Sequence, residues 1–202
     1  MFTVIEGRVL GCLMEKERTV PDQYPLTMNT LVSACNQSSS REPIMALDEH
    51  EVYAAIDSIK SHGFLRIVHP AHGRSVIRYR QVLDEKYELD APAAAILAVL
   101  LVRGPQTAAE LRSRAERLHA FDSVGAVDVV LRDMSERPLV RLLQRQHGQK
   151  EQRWQQLLAE EAEVDLAPQA VSGASVAASM ADRVAQLEER VAKLEATLQD
   201  LL

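Results

Sequence analysis

Residues 19–45 read TVPDQYPLTMNTLVSACNQSSSREPIM, and this stretch decides the architecture. Pro25 stands just ahead of Thr27, and Met28, Leu31, Val32 and Cys35 follow at helical spacing. A threonine N-cap satisfies a free backbone N–H of the first turn, so a short helix is expected over residues 27–36. Pro43 stops any helix running through the SSSREP loop, because the residue before a proline is pushed out of the α region. Longer apolar stretches flank this segment on both sides. A short helix, a turn and a second helix form the core of a helix-turn-helix.

Working outward, residues 4–17 read as a first helix. Val4, Ile5, Val9, Leu10, Cys12, Leu13 and Met14 form its apolar face, with Glu6, Arg8, Glu15 and Lys16 expected outside. Residues 49–62 read as a third helix, with Asp48 and Glu51 as a capping box and Gly63 as the C′ glycine. Residues 64–68 and 76–82 then read as two strands around the turn-prone HPAHGRS. Three helices and a hairpin make a winged helix-turn-helix over residues 1–86.

Residues 87–158 repeat the order. Pro25, Thr27 and Leu31 match Pro105, Thr107 and Leu111 at an offset of 80. Val52, Ile56, Ile59, Phe64, Arg66 and Ile67 match Val127, Leu131, Met134, Leu139, Arg141 and Leu142 at an offset of 75. Matches at nearly constant offset, at core and cap positions, are the mark of a duplication. The second copy is expected to place helices at 91–102, 108–118 and 123–136, with wing strands at 139–146 and 151–157. The five-residue difference gives the first copy the longer turn between its second and third helices, and that turn carries SSSREP.

Residues 159–178, rich in Ala, Ser, Val and Glu, read as a linker. Residues 179–202 end the chain in a heptad of Val184, Leu187, Val191, Leu194, Leu198 and Leu201. Valine at a with leucine at d favours two parallel strands. Parallel pairing also sets Arg183 against Glu188 and Arg190 against Glu195. A homodimer through this helix is expected, the alternative being a helix folded onto its own body. The fold class is thus mainly α with small β-hairpin wings: two tandem winged helix-turn-helix domains plus a C-terminal coiled-coil helix.

GCLMEKE (residues 11–17), DQYPLTMNTLVSACNQ (22–37), REP (41–43) and ELRSRA (110–115) resemble, in this order, the YceH-like proteins, a bacterial family of uncharacterised function. The resemblance covers most of residues 5–158. It implies two tandem winged helices and, with them, a presumption of regulation, but no established activity. The family usually has a lysine after the Asn-Gln pair, where this chain has Ser38.

Composition narrows the function classes. The 202 residues are 47% hydrophobic but only 4% aromatic, so the cores are built from Leu, Val, Ile and Ala. Cys12 and Cys35 sit at apolar helical positions and read as buried reduced thiols. The N-terminus lacks a basic region ahead of its apolar run, and no run reaches the length of a membrane span. A cytoplasmic protein without membrane contact is expected. The net charge is −6, yet residues from Leu158 onward hold nine acids against three bases, so the body before them is neutral. The acidic total therefore does not argue against a nucleic-acid partner.

The helices that would read DNA are poor in cations. The first copy's third helix carries Asp48, Glu49, Glu51 and Asp57 against Lys60; the second copy's carries Asp122, Asp128 and Asp133 against Arg132 and Arg137. Phosphates repel such faces. The wings are basic instead: Arg66, Arg74, Arg78 and Arg80 in the first, Arg141, Arg145, Lys150 and Arg153 in the second, with Arg112 and Arg114 on the nearby helix. Strand alternation puts Arg66, Arg78 and Arg80 on an outer face. These ten residues are the candidate nucleic-acid contacts. Arg41 and Glu42 in the longer loop are candidates for a loop clamp or a ligand contact, with Glu15 a possible partner for Arg41. His69 and His72 form an H-x-x-H, but zinc needs two further ligands and no cysteine is near, so no metal or other cofactor is expected. Without a phosphate loop, a nucleophile elbow or paired carboxylates in a defined context, no enzyme is expected. Two functions remain: a DNA-binding transcriptional regulator, or a non-enzymatic module that binds an unknown protein partner through tandem winged helices, as a partner subunit of bacterial condensin does.

Overall fold

The molecule, a computed structural model, describes residues 1–69, 76–145 and 148–161. Helices make up about half of these residues, and the rest includes two small antiparallel sheets. The first half runs α1 (Val4–Thr19), a 3-10 turn (Pro21–Gln23), β1 (Leu26–Thr27), α2 (Met28–Cys35), α3 (Glu49–Ser61), β2 (Leu65–Val68) and β3 (Arg78–Gln81). A four-residue helix, α4 (Leu83–Lys86), leads to the second half: α5 (Ala91–Arg103), α6 (Ala108–Ala115), α7 (Val124–Glu136), β4 (Val140–Leu142) and β5 (Trp154–Gln156).

The caps follow the local sequence. Thr27 accepts from the Thr30 N–H, and Thr107 accepts from the Glu110 N–H. Capping boxes start α1 (Thr3 with Glu6), α3 (Asp48 with Glu51) and α6 (Thr107 with Glu110). Gly63 follows α3 at φ 77°, a left-handed conformation that glycine adopts without a Cβ clash.

The first sheet has three strands in the order β1-β3-β2, where the sequence predicted a two-stranded hairpin. Leu26 and Thr27 pair with Tyr79 and Arg78, because the segment before α2 stays extended up to its cap. The second sheet is β4-β5, and Gln106 bridges to Trp154 where Leu26 faces Tyr79 in the first half. The registers correspond: Ile67 pairs with Tyr79 as Leu142 pairs with Trp154, and Leu65 with Gln81 as Val140 with Gln156. The structure thus carries the same offset of 75 through both hairpins.

Glu6 and Arg8, expected outside on α1, are buried at 8% and 2% exposure. The reason is that α1 packs against α2 and α3 on one side and against α5 on the other. Arg8 is tolerated there because it donates to the carbonyls of Cys35 (3.1 Å) and Pro43 (2.6 Å). A Cβ on Gly11 would sit 2.8 Å from both Leu101 Cβ and Val102 Cγ1, and one on Gly7 would sit 2.6 Å from Ala159 Cβ. These glycines let α1 and its neighbours approach closely. α5 is buried from Ala93 through Val102, apolar on all sides as a helix between two layers must be. The described residues accordingly form one compact unit.

Ala159 and Glu160, expected at the start of a linker, pair with the N-terminus. Phe2 donates to the Leu158 carbonyl (2.8 Å), and its own carbonyl accepts from Glu160 (2.9 Å). Phe2 in turn packs edge-on against Phe64, with centroids 5.2 Å apart. The expected coiled-coil helix and nearly all of the expected linker, with Val184, Leu187, Val191, Leu194, Leu198 and Leu201, lie outside the described residues.

Candidate nucleic-acid interface

The ten candidate arginines and lysines fall into distinct settings. Arg66 and Arg80 are cross-strand neighbours on the outer face of the first hairpin. Both reach Glu85 on α4, at 3.0 and 2.5 Å, so the carboxylate sits between them and neutralises part of the patch. Nothing in the sequence pattern flagged Glu85, because α4 is too short to show periodicity. Arg78 donates to the carbonyls of Pro25 (2.7 Å) and Gln23 (3.2 Å), which ties β3 to the turn before α2. Arg74 lies outside the described residues.

The second half repeats these roles. Arg141, at the position of Arg66, donates to Gln155, which stands where Arg80 stands in the first half. Arg153, at the position of Arg78, donates to the Pro105 carbonyl (2.9 Å) and pairs with Glu110 (2.9 Å). Glu110 also accepts from the Thr107 N–H of its own capping box. Partial burial works against the charged carboxyl, but the Thr107 N–H and the neighbouring Arg153 and Arg114 outweigh it and hold Glu110 below its ordinary range. Arg112 donates to the carbonyls of Phe121 and Asp122 and closes the turn between α6 and α7. Arg114 leans on Glu110 one helical turn away, at 3.7 Å. Arg145 and Lys150 are exposed near the tip of the second hairpin and form no ion pair among the described residues.

Arg41 is fully buried. Its guanidinium donates to Glu15 (2.5 Å) and to the carbonyls of Ala34 (2.9 Å) and Ser40 (2.8 Å). Glu42 is exposed, and its backbone N–H donates to the Val102 carbonyl at the end of α5 (2.9 Å). The longer loop therefore touches α1, α2 and α5. Cys12 and Cys35 are buried free thiols. Cys12 donates to the Ala34 carbonyl, and its contact with Cys35 together with burial pushes the Cys35 thiol far up.

Two buried glutamines escaped the sequence reading. Gln81 accepts from the Leu83 N–H and donates to Glu17 and Asp84; Gln156 accepts from the Leu158 and Ala159 N–H groups and donates to Glu161 and the Ala159 carbonyl. Each organises the turn that leaves its hairpin. The same 75-residue offset, extended past Tyr79 and Trp154, would have found them.

The exposed faces of the helices after each turn differ from the hairpins. α3 presents Glu49, Glu51, Tyr53 and Asp57, with Tyr53 57% exposed. α7 presents Val129, 67% exposed, beside Arg132 and Asp133. Among the described residues no His, Cys, Asp or Glu group is arranged to hold a metal ion, and no helix is long and apolar enough to cross a membrane.

Residues 2–149 match the model of a family described as a protein of unknown function, DUF480. A UPF0502 protein of Geobacter metallireducens is 53% identical over 156 residues, covering 76% of this chain and 70% of the relative. One of Geobacter sulfurreducens is 50% identical over 159 residues (78% and 72%), and one of Leptothrix cholodnii is 44% identical over 176 residues (86% and 77%). These matches span both halves and agree with the YceH-like resemblance, so the chain belongs to the DUF480/UPF0502 family of uncharacterised bacterial proteins.

Proposed function

We propose that the chain is a tandem winged-helix protein that binds duplex DNA and regulates transcription, with its hairpins set against the phosphate backbone. Three helices followed by a hairpin, twice over, match the winged helix-turn-helix plan. The observation that carries the DNA reading is the tip of the second hairpin, where Arg145 and Lys150 project without an acidic partner among the described residues. Arg141 extends the basic surface on that hairpin, and Arg66, 60% exposed, adds to the first hairpin the part of its charge that Glu85 does not meet. Such contacts bind any sequence, and base reading would add specificity to them. The heptad of residues 184–201 would make the protein a homodimer and present these surfaces in pairs. The role is non-catalytic and cytoplasmic.

The test is binding of random and genomic duplexes across a salt series. Replacing Arg141, Arg145 and Lys150 with Ala weakens binding to all sequences and flattens the salt dependence by about one unit for each phosphate no longer neutralised. Intact protein that fails to bind at low salt rejects the DNA reading.

One observation favours the second reading, a protein-binding module. Tyr53 among acids on α3, and Val129 on α7, occupy the faces that a helix-turn-helix turns toward DNA. Aromatic and apolar residues there suit a protein partner better than phosphate.

A further inference from the structure

A cleft of about 220 Å³ opens between the C-terminal end of α1, the start of the long loop, α5 and α6. Both halves of the body contribute to it. Four cations line it: Lys16 on α1, Arg103 at the end of α5, and Arg114 and Arg117 on and just after α6. The carboxylate in the lining, Glu15, is already engaged by buried Arg41 at 2.5 Å and by Lys16 at 3.6 Å. Ser39 and Ser40 add hydroxyls from the loop, and Val99, Val102 and Leu118 contribute apolar lining.

The four cations are unevenly compensated. Lys16 leans on Glu15 and Gln37, and Arg114 on Glu110. The side chains of Arg103 and Arg117 form no hydrogen bond or ion pair among the described residues. Arg103 is half-buried, and burial, then Arg114 and Arg41, disfavours its charge more than Glu15 and Glu42 support it. Like charges gathered in a concave, partly desolvated site, with hydroxyl donors at the rim, leave a deficit of negative charge that an anion would fill. Guanidinium groups match the oxygens of a phosphate in pairs, and serine hydroxyls donate to the same oxygens. Ser40 stands at φ 62°, a conformation that costs energy for a residue with a Cβ, and the Arg41 contacts hold it there. The longer loop of the first half thus has a role beyond tying down α1 and α5: it forms one wall of the cleft.

We propose that this cleft binds a small phosphate-bearing anion, through Arg103, Arg114, Arg117 and Lys16, and that the ligand bridges the two halves of the body. The cleft uses none of the hairpin cations that carry the DNA reading, and it shares with the candidate nucleic-acid contacts only Arg114, whose charge is partly met by Glu110. A ligand that ties α1 and the loop to α5 and α6 stiffens their junction, so it acts as an effector of whatever surface the halves present.

The experiment is calorimetric and thermal titration of the full chain with sodium pyrophosphate, with chloride at matched ionic strength as control and citrate as a non-phosphate polyanion. Saturable binding is expected, with a rise in Tm that chloride does not produce and that citrate produces only weakly. Arg103→Gln and Arg117→Gln each weaken pyrophosphate binding by roughly tenfold, as the loss of a charge-assisted hydrogen bond does. Arg117 is exposed, so its variant keeps the fold even if Arg103→Gln does not. Arg132→Gln, outside the cleft, leaves binding unchanged. The proposal is overturned if pyrophosphate gives no more than the chloride effect, if citrate binds as tightly, or if both cleft variants bind with intact affinity. It is equally overturned if the cleft variants lose duplex DNA binding while pyrophosphate does not bind, which would make the cleft part of a nucleic-acid surface.

Discussion

Arg78 and Arg153 hold the same position in the two halves: each donates to the carbonyl of the proline that precedes the second helix, Pro25 at 2.7 Å and Pro105 at 2.9 Å. Both were candidate phosphate contacts by sequence, and both spend donors inside the protein. Their replacement therefore tests stability as well as binding. Arg78→Ala should cost about 0.5–1 kcal/mol, since its bonds are exposed, and Arg153→Ala about 1–2 kcal/mol, since it also loses Glu110. Urea unfolding of both variants measures this, and an unchanged midpoint for Arg153→Ala would reject the tie.

Glu110 links this pairing to pH. Its carboxyl lies below the ordinary value near 4.5, so it adds stability that is complete above that value and is lost as pH falls through the depressed folded value. Glu110→Gln keeps the size but loses the charge. Its unfolding midpoint should fall at pH 7 and converge on that of the parent at the acid end. Parallel curves for the two proteins between pH 3 and 7 would contradict the assignment.

The long loop depends on Arg41. With its guanidinium buried among Glu15, Ala34 and Ser40, Arg41→Ala leaves a half-buried carboxylate and two carbonyls short of donors. A loss on the order of 1–3 kcal/mol is expected. Arg41→Lys should recover only part of it, because an ammonium cannot reproduce the planar fork of donors. Thermal unfolding that Arg41→Ala does not shift would leave the residue without a structural role.

The heptad predicts a parallel dimer. Deleting residues 179–202 should halve the mass in sedimentation while the helical circular dichroism of the body persists. Glu188→Lys with Glu195→Lys should weaken association, and adding Arg183→Glu with Arg190→Glu should restore it. Exposed pairs are worth a few tenths of a kcal/mol each, so the change appears in the dissociation constant. An unchanged mass after truncation would refute the dimer.

The local features were legible along the chain because they depend on neighbours within a few residues. Thr27, Asp48 and Thr107 are caps because each side chain reaches a backbone N–H only three residues on. Gly63 ends α3 because only the backbone there decides it. The duplication was legible for a similar reason: Pro25 with Pro105 and Arg66 with Arg141 recur because equivalent backbones impose equivalent demands.

Tertiary packing decided the rest. Glu6 and Arg8 look like surface residues on a one-sided helix, and they are buried because α1 is packed against α2, α3 and α5, with Arg8 reaching the carbonyls at the end of α2 and in the long loop. Arg78 and Arg153 look like free wing cations, and they are tied to prolines far away in the chain. Glu85 neutralises part of the charge of Arg66 and Arg80 only because α4 brings it within reach of both. The cleft of Lys16, Arg103, Arg114 and Arg117 draws on two copies of the repeat, and no window of sequence contains it. Periodicity and capping fix which residues form a helix or a strand. Which of their charges meet is set by distances through space, and those exist only once the two halves have packed.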